Sequence, residues 1–356
     1  MAEQQLNATQ RAQLFAMSTR QNWQMLAKET ATVHPSTIQF TLPKTRLLSG
    51  ITLRIYATIN VKHATKTELA TDIFTPYRTV RKINIDLNNG FSPFSLSGEE
   101  LAMYNMIGLH PDLVTPQAEN ESGYTYCPTN LTATSAGWDN YIAFTFELPI
   151  TLNPRDPIGL ILSQNEQTVI TVNIDTANGG EIFGNPDGYT IELKSMTVEA
   201  CVESFSIPAN ANALPDLSVL KLVNGRNDSM PTAGQQVIKL STGTIYRKLI
   251  FRVLDENGEP VEDDFITSDI SLVFNQADTN YSVSASMLRV INEKMLGFAL
   301  PKGMFVFDFS NSGGFSNLGG SRDYIDSANL TEFWLRFNTT GKGKVEMVTE
   351  TLSRLA

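Results

Sequence analysis

The sequence predicts an all-β protein built from two tandem β-sandwiches behind a short helical arm. Three observations lead there. Apolar residues alternate with polar ones in short runs, clusters of turn formers separate those runs, and the patterns of the first half return in the same order in the second, the first of them at an offset of about 199 residues.

The first element is the exception to the β texture. Residues 1–34 are Gln-rich and contain neither Gly nor Pro. Ala8, Ala12, Phe15, Thr19, Trp23 and Leu26 recur at spacings of three and four, which places them on one helical face. Asn7 or Thr9 can cap the start, and Pro35 closes the segment because the residue before a proline avoids helical backbone. A helical arm over 1–34 is therefore expected, either packed on its own domain or docked on a neighbouring subunit or a lipid surface. Arg11, Arg20 and Lys28 make it only mildly basic.

From residue 35 the period becomes two. Ile51, Leu53, Ile55, Ala57 and Ile59 share one face of a strand, with Thr52, Arg54, Tyr56 and Thr58 on the other. Further strands read at Ile38–Leu42, Val80–Leu87, Tyr141–Leu148, Ile158–Leu162, Thr168–Ile174, Tyr189–Leu193 and Met196–Phe205. Turns fall at Asn88-Asn89-Gly90, Asn153-Pro154, Asn178-Gly179-Gly180 and Asn185-Pro186-Asp187-Gly188. About eight short strands with long loops and little helix describe a sandwich or barrel. Residues 209–235 lack the alternation and read as a linker, so the first sandwich spans 35–208 and the second 236–356.

The second half repeats the first. Leu47-Leu48-Ser49-Gly50-Ile51-Thr52-Leu53-Arg54-Ile55 has its counterpart in Tyr246-Arg247-Lys248-Leu249-Ile250-Phe251-Arg252-Val253-Leu254. Ile83–Asn88 runs on to a helix starting at Ser97 and ending at Gly108. Ile270–Asn275 likewise leads to a helix starting at Ser284 or Ser286 and ending at Gly297. Arg155-Asp156-Pro157-Ile158 is echoed by Arg322-Asp323-Tyr324-Ile325, and the closing strands Met196–Phe205 and Lys344–Leu352 match in position. The first copy is longer mainly because residues 110–140 form an extended loop without an equivalent.

Composition narrows the function. Only 18% of the residues are charged, against roughly 25% in an ordinary soluble domain, and the net charge is -10. An acidic chain without a Lys/Arg cluster is poorly placed to neutralise phosphates, so no direct nucleic-acid binding is expected. No stretch approaches the ~20 apolar residues of a membrane span. The opening Met1-Ala2-Glu3-Gln4-Gln5 lacks the basic and apolar regions of a secretory leader. Cys127 and Cys201 form neither a disulfide framework nor a zinc site, and they suit a reducing compartment.

Catalytic patterns are thin. His34, His63 and His110 are scattered without ligand spacing. Asp255-Glu256-Asn257-Gly258-Glu259, with Glu262, Asp263 and Asp264, reads as a solvated hairpin turn more than a cation site, although an ion near Asp263/Asp264 is left open. Ser312–Gly320 is Gly-rich but lacks the strand–helix context and lysine of a phosphate cradle. No catalytic, cofactor-binding or metal residues are assigned, and no enzyme activity is expected.

With its Gln-rich N-terminal helix and two β-sandwiches, each with one helix before its later strands, the chain resembles the double jelly-roll major capsid proteins of tailless icosahedral viruses with an internal membrane. The likeness is nearest to tectiviruses, and within them to the group infecting Gram-positive bacteria. The run Glu147–Leu162 and the run Leu47–Ile55 carry the resemblance locally, and the order of elements carries it over the whole length. It implies two tandem eight-stranded jelly rolls. It further implies a homotrimer of pseudo-hexagonal outline and a lattice of such trimers in the virion capsid, made in the host cytoplasm. The implied partners are other copies of the chain, the internal viral membrane and minor capsid proteins. In that setting Phe15, Trp23, Met25 and Leu26 would be the contact residues of the arm. The long loops at 110–140 and 310–325 would face outward or clasp neighbours. Two other readings stay open. Tyr124, Tyr126 and Trp138 in the long loop would suit sugar stacking in a glycan- or receptor-binding protein, and a bicupin-type enzyme would need a histidine-rich metal site that three scattered histidines do not supply.

Overall fold

The computed structural model describes residues 8–88, 90–152, 157–164, 167–275, 278–310 and 324–354. The chain divides into two compact units, Met1–Lys221 with Arg354–Ala356, and Leu222–Ser353. The first unit contains helices α1 (Ala8–Ser18), α2 (Gly98–Gly108), α3 (Pro111–Val114) and α4 (Gly179–Ile182). Its strands are β1 (Gln21–Met25), β2 (Glu29–Ala31), β3 (Thr37–Thr41), β4 (Leu47–His63), β5 (Glu68–Ala70) and β6 (Val80–Leu87). They continue as β7 (Phe91–Leu96), β8 (Asn130–Thr132), β9 (Trp138–Pro149), β10 (Ile161–Leu162), β11 (Ile170–Thr176) and β12 (Tyr189–Phe205). Strand β13 (Val219–Met230) opens the second unit. It is followed by β14 (Gly234–Lys239), β15 (Ile245–Asp255), β16 (Ile270–Phe274) and β17 (Asp278–Val283). Helix α5 (Ala285–Leu296) and strands β18 (Met304–Asp308), β19 (Ile325–Asp326), β20 (Phe333–Thr339) and β21 (Gly343–Arg354) complete it.

The two units repeat one pairing scheme. In the first, β12 pairs with β1 and β4, and β4 pairs in turn with β9 and β10. A second set links β3 to β11, β11 to β6 and β6 to β7. In the second unit β21 neighbours β13 and β15, and β15 pairs with β18 and β19. The other set links β14 to β20, β20 to β16 and β16 to β17. Every one of these pairings in the second unit has its counterpart in the first, in the same chain order; the first unit adds β2 on β12 and the β5–β8 pair. The duplication inferred from short echoes is thus present in topology.

Each unit closes over a core that the strand period dictates. On β4 the residues Leu53, Ile55, Ile59 and Val61 are buried while Thr52, Arg54 and Tyr56 lie on the opposite, half-exposed face. In the second unit Tyr246, Leu249, Phe251 and Val253 form one cluster with Phe305 and Phe307 of the adjoining strand β18 and with Phe333 and Phe337 of β20. Edge-to-face Tyr246–Phe333 and stacked Phe251–Phe305 pairs fix its geometry.

The single long helix after the fourth pairing strand is built the same way twice. Ser97 caps α2 by accepting from the Glu100 amide at 3.2 Å, and the Glu100 carboxylate accepts from the Ser97 amide at 2.7 Å. Ser284 caps α5 by accepting from the Met287 amide at 3.3 Å, and Gly297 ends it in left-handed backbone at φ 81°. Eight residues beyond each cap sits a buried asparagine. Asn105 donates to the Glu147 carbonyl at 2.8 Å and accepts from the Glu147 amide at 2.9 Å. Asn292 donates to the Val306 carbonyl at 2.7 Å and accepts from the Val306 amide at 3.0 Å. Both target strands, β9 and β18, hold the same place in the scheme.

Two sequence expectations are corrected. Within the arm expected over 1–34, the described helix runs only from Ala8 to Ser18. Residues 21–25 and 29–31 are strands added to β12, because the backbone of β12 offers them a ladder that an isolated Gln-rich segment lacks. The segment 209–235 is not a linker throughout: β13 occupies Val219–Met230 within it, and the division between units falls within that strand. Its amphipathic pattern is blurred by polar residues from Asn224 to Ser229, which is why it reads as irregular. The first sandwich also carries the extra turns α3 and α4. Arg155-Asp156, in the third echo, and the Gly-rich run Ser312–Gly320 lie outside the described residues.

The second unit holds buried charge. The Arg252 guanidinium donates to the Glu346 carboxylate, with Nε at 3.0 Å, and Lys344 reaches the same carboxylate at 2.8 Å. Burial disfavours the Glu346 anion, yet these two cations outweigh it and hold its carboxyl below the usual carboxylate range. A depressed acid contributes stability that is present above its unfolded value of 4.5 and is lost as pH falls through the lower folded value. Stability of wild type should therefore fall below about pH 4.5 in denaturant titrations, and Glu346→Gln should flatten that decline. Asn105→Ala and Asn292→Ala should each destabilise by about 2–4 kcal/mol, since each strands a buried amide and a buried carbonyl; guanidinium unfolding that shows no change for either would contradict the assigned role.

Candidate assembly surface

The sequence-predicted contact residues separate into two regions of the first unit. In the arm, α1 ends where Ser18 and Thr19 turn their hydroxyls back on the Leu14 and Phe15 carbonyls, at 2.6 and 2.7 Å. Phe15 is only 4% exposed. It packs edge-to-face on Phe205 and joins Leu47, Leu160, Leu214 and Leu217 in a small cluster. This corrects the expectation that Phe15 meets a neighbour: it anchors the arm to its own unit. Leu26 is half-buried, and its amide donates to the Ala200 carbonyl at 2.9 Å.

Trp23 and Met25 are different. In β1 they stand opposite Glu203 and Cys201 of β12. Directly opposed residues of an antiparallel pair share a face, and here it is the face turned away from the core. Trp23 is 72% and Met25 61% exposed. Among the described residues β1 is paired along one edge, to β12. The arm thus offers a large aromatic, a methionine and a strand edge together. Lys28 and Glu199, 2.9 Å apart at the surface, tie the following turn to β12.

The long loop is anchored rather than free. Tyr77, buried beneath it, donates to the Val114 carbonyl at 2.5 Å and lies 3.0 Å from the Thr125 hydroxyl. The Tyr124 carbonyl accepts from Arg54 at 2.6 Å and from Thr145 at 3.1 Å, and the Tyr124 hydroxyl donates to Glu147 at 3.3 Å. Tyr126 is buried and bridges to Ala143 of β9 through both backbone groups. Of the three aromatics expected to make outer contacts, Tyr124 and Tyr126 fasten the loop, and Trp138 alone is exposed. Tyr77 and Arg54 were invisible as loop anchors because their partners are backbone carbonyls distant in sequence.

Glu147 sits at the centre of these contacts. Thr52 donates to it at 2.8 Å and also lies 3.4 Å from Glu203. Burial, with the like charge of Glu203 adding to it, raises the Glu147 carboxyl despite the Thr52 hydrogen bond.

The remaining candidates resolve individually. Asp263 is engaged by Arg289 through two guanidinium nitrogens, Glu262 by Lys302 at 2.8 Å and Glu256 by Lys342 at 3.7 Å, and Asp264 is exposed. Asp255 accepts from the Asn257 and Glu259 amides, at 2.8 and 2.9 Å, as a hairpin turn requires. The acidic cluster is a cross-linked turn. His34 pairs with the Thr176 hydroxyl at 2.8 Å, His63 accepts from the Thr65 and Lys66 amides, and exposed His110 faces Asp112 at 3.5 Å. Burial pushes the Cys127 thiol up to about 12, and Cys201 is also free. Among the described residues no group of three or more His, Cys, Asp or Glu could hold a metal, and no helix is long and apolar enough to cross a membrane.

The sequence matches no protein-family model and no curated protein. Its fold does match solved structures. The STIV MCP aligns at a TM-score of 0.70 and 15% identity, covering 94% of this chain and 97% of that one. The major capsid protein P2 from bacteriophage PM2 aligns at 0.59 and 9% identity over 95% and 98%. The Faustovirus major capsid protein aligns at 0.57 and 10% over 95% and 90%. At such identities the likeness is one of fold, and the fold shared is the double jelly roll.

A raised acid contributes stability that is fully present below its unfolded value of 4.5 and is lost as pH rises through the higher folded value. Glu147→Gln keeps an acceptor for Tyr124 and Thr52 without the charge. It should raise the melting temperature at pH 7 and leave it nearly unchanged at pH 4; a variant less stable at pH 7 would overturn this account of Glu147.

Proposed function

We propose that this chain is the major capsid protein of an icosahedral virus: three copies form a capsomer of pseudo-hexagonal outline, and capsomers tile the shell. The observation that carries the reading is the pairing-for-pairing duplication of one sandwich in a fold that aligns with capsid proteins over 94% of the chain. The physical logic is that of closed symmetry. A threefold ring of two-unit chains presents six nearly equivalent edges, so one sequence can serve many lattice contacts. The role is structural, and the protein's place is the virion capsid.

The finer features of the reading follow from the sequence resemblance. The shell overlies an internal membrane, as in tectiviruses, and minor capsid proteins join it. Trp23 and Met25 make contacts between capsomers at the base, where their exposure and the single-sided pairing of β1 support the assignment. Trp138, the exposed first residue of β9 where the long loop ends, makes outer contacts.

Light scattering of the purified protein should give a trimer, and electron microscopy should show particles of hexagonal outline; a strict monomer under all assembly conditions would sink the proposal. Removing the whole arm is a poor test, because it would take Phe15 from its cluster and two strands from β12. Trp23→Ser with Met25→Ser is the cleaner one. Trimers should persist while sheets and shells fail to extend, and normal shells from the double variant would remove these residues from the lattice contact.

A further inference from the structure

The sheet that β4 forms with β9 and β12 carries, on its outer face, an aromatic cleft for which the assembly reading has no use. Tyr124, Tyr126 and Trp138 are the aromatics that the sequence suggests for sugar stacking, and the fold gives the first two anchoring roles instead. It assembles a different set. Tyr56 of β4 and Tyr141 of β9 sit diagonally across one ladder, since Tyr56 pairs with Ala143 and Thr58 with Tyr141. Their rings lie nearly parallel, with centroids 6.4 Å apart and planes 22° from each other. Tyr126 props Tyr141 from the loop side at 5.9 Å. With Arg54, Glu121 and Ser122, Tyr56 and Tyr141 line an open cleft of about 540 Å³.

The polar groups around the rings carry both signs. The Arg54 guanidinium stands 5.3 Å from the Tyr56 ring centre, and its Nη1 is fixed by the Tyr124 carbonyl and the Thr145 hydroxyl. Among the described residues its Nε and Nη2 have no partner. Lys28 lies at the same distance from Tyr56 and is paired with Glu199, which also accepts from the Tyr56 hydroxyl at 3.3 Å. The exposed Glu121 carboxylate and the Tyr141 hydroxyl have no hydrogen-bond partner among the described residues. Burial raises the Tyr141 hydroxyl, Arg54 opposes that shift and Glu121 adds to it, so both charges reach the phenol.

We infer that the cleft between Arg54, Tyr56, Glu121 and Tyr141 is a binding site for an uncharged pyranose ring. The aromatic faces select it first: a pyranose presents a flat patch of C–H groups, weakly positive, that packs on the negative face of an aromatic ring. The charges select it next. An anion drawn to Arg54 would meet Glu121, and a cation would meet Arg54 and Lys28 already standing by Tyr56. A neutral polyol has neither conflict, since each hydroxyl both donates and accepts. It can donate to Glu121, accept from the remaining guanidinium nitrogens and do either with the Tyr141 hydroxyl. The cleft also falls within the size of ordinary small-molecule sites. The inference is independent of the capsid reading, because it uses side chains of a single chain.

Saturation-transfer NMR on the purified full-length protein tests this with methyl α-glucoside, methyl α-mannoside, methyl β-galactoside and N-acetylglucosamine. N-acetylneuraminate, choline and adenosine serve as an anionic sugar, a cation and a flat aromatic for comparison. At least one neutral sugar should bind, with a Kd of about a millimolar for a ligand of so few atoms. A tetramer of that sugar should bind more tightly where the natural source is a polysaccharide, and equally where it is a free sugar. Glu121→Ala, in an exposed loop, should weaken binding about tenfold with thermal unfolding unchanged, since a hydrogen bond to a charged group is lost. Tyr141→Ala should abolish binding and Tyr141→Trp should retain it. The inference is overturned if none of the neutral sugars binds, if N-acetylneuraminate, choline or adenosine is preferred, or if both Glu121→Ala and Tyr141→Ala bind sugar as wild type does. None of these outcomes bears on the capsid reading, which light scattering and microscopy decide.

Discussion

The architecture depends on one exchange of hydrogen bonds made twice: a helical asparagine takes both backbone groups of a strand residue. An asparagine carboxamide has one donor side and one acceptor side, as a peptide unit does, so it can continue a ladder where the next strand is missing. Asn105 does this for Glu147, and Asn292 for Val306. Buried backbone groups must find partners, and the strands flanking the helix cannot supply them here. The helix is thereby fixed in position and rotation. The serine cap eight residues earlier then falls where the chain leaves the preceding strand.

Much of this fold is written in local pattern. The alternation of β4, the strands around Ile83–Leu87 and Ile270–Phe274, and both helix starts are readable because burial on one face imposes a period of two and an orphaned helix end calls for a hydroxyl. The elements that escape reading are those whose structure is decided by a partner. Gln21–Met25 has few strand-forming residues and is a strand because β12 presents an open edge; its helical spacing is coincidental. The second half of β13 is similarly polar. At the candidate surface, Trp23 and Met25 stand out in sequence as large apolar residues in a polar segment. Phe15 looks the same in one dimension and proves to be an anchor, since only the packing of Phe205 and Leu217 around it separates the two roles. Tyr124 and Tyr126 teach the same lesson in the loop.

The low fraction of charged residues also acquires a physical reading. Several of the charges that exist are spent inside. Arg252 with Glu346, Arg247 with Glu350 and Lys248 with Asp308 are all pairs in the second unit, and the acidic turn is cross-linked by Arg289, Lys302 and Lys342. Desolvating an unpaired charge costs far more than desolvating Thr, Ser or Asn, so a chain whose sides become interfaces is best surfaced with the latter.

Strands β1 and β13 hold the same place, each lying beside the last strand of its own unit. In one case that strand is the arm near the start of the chain; in the other it is the passage from the first unit into the second. No separate connector is needed between the units, because the strand that leads the second one already begins before the division between them. The arm strand and the strand that begins the second unit are thus equivalent parts of one repeated design, each completing the sheet edge beside the closing strand of its own unit.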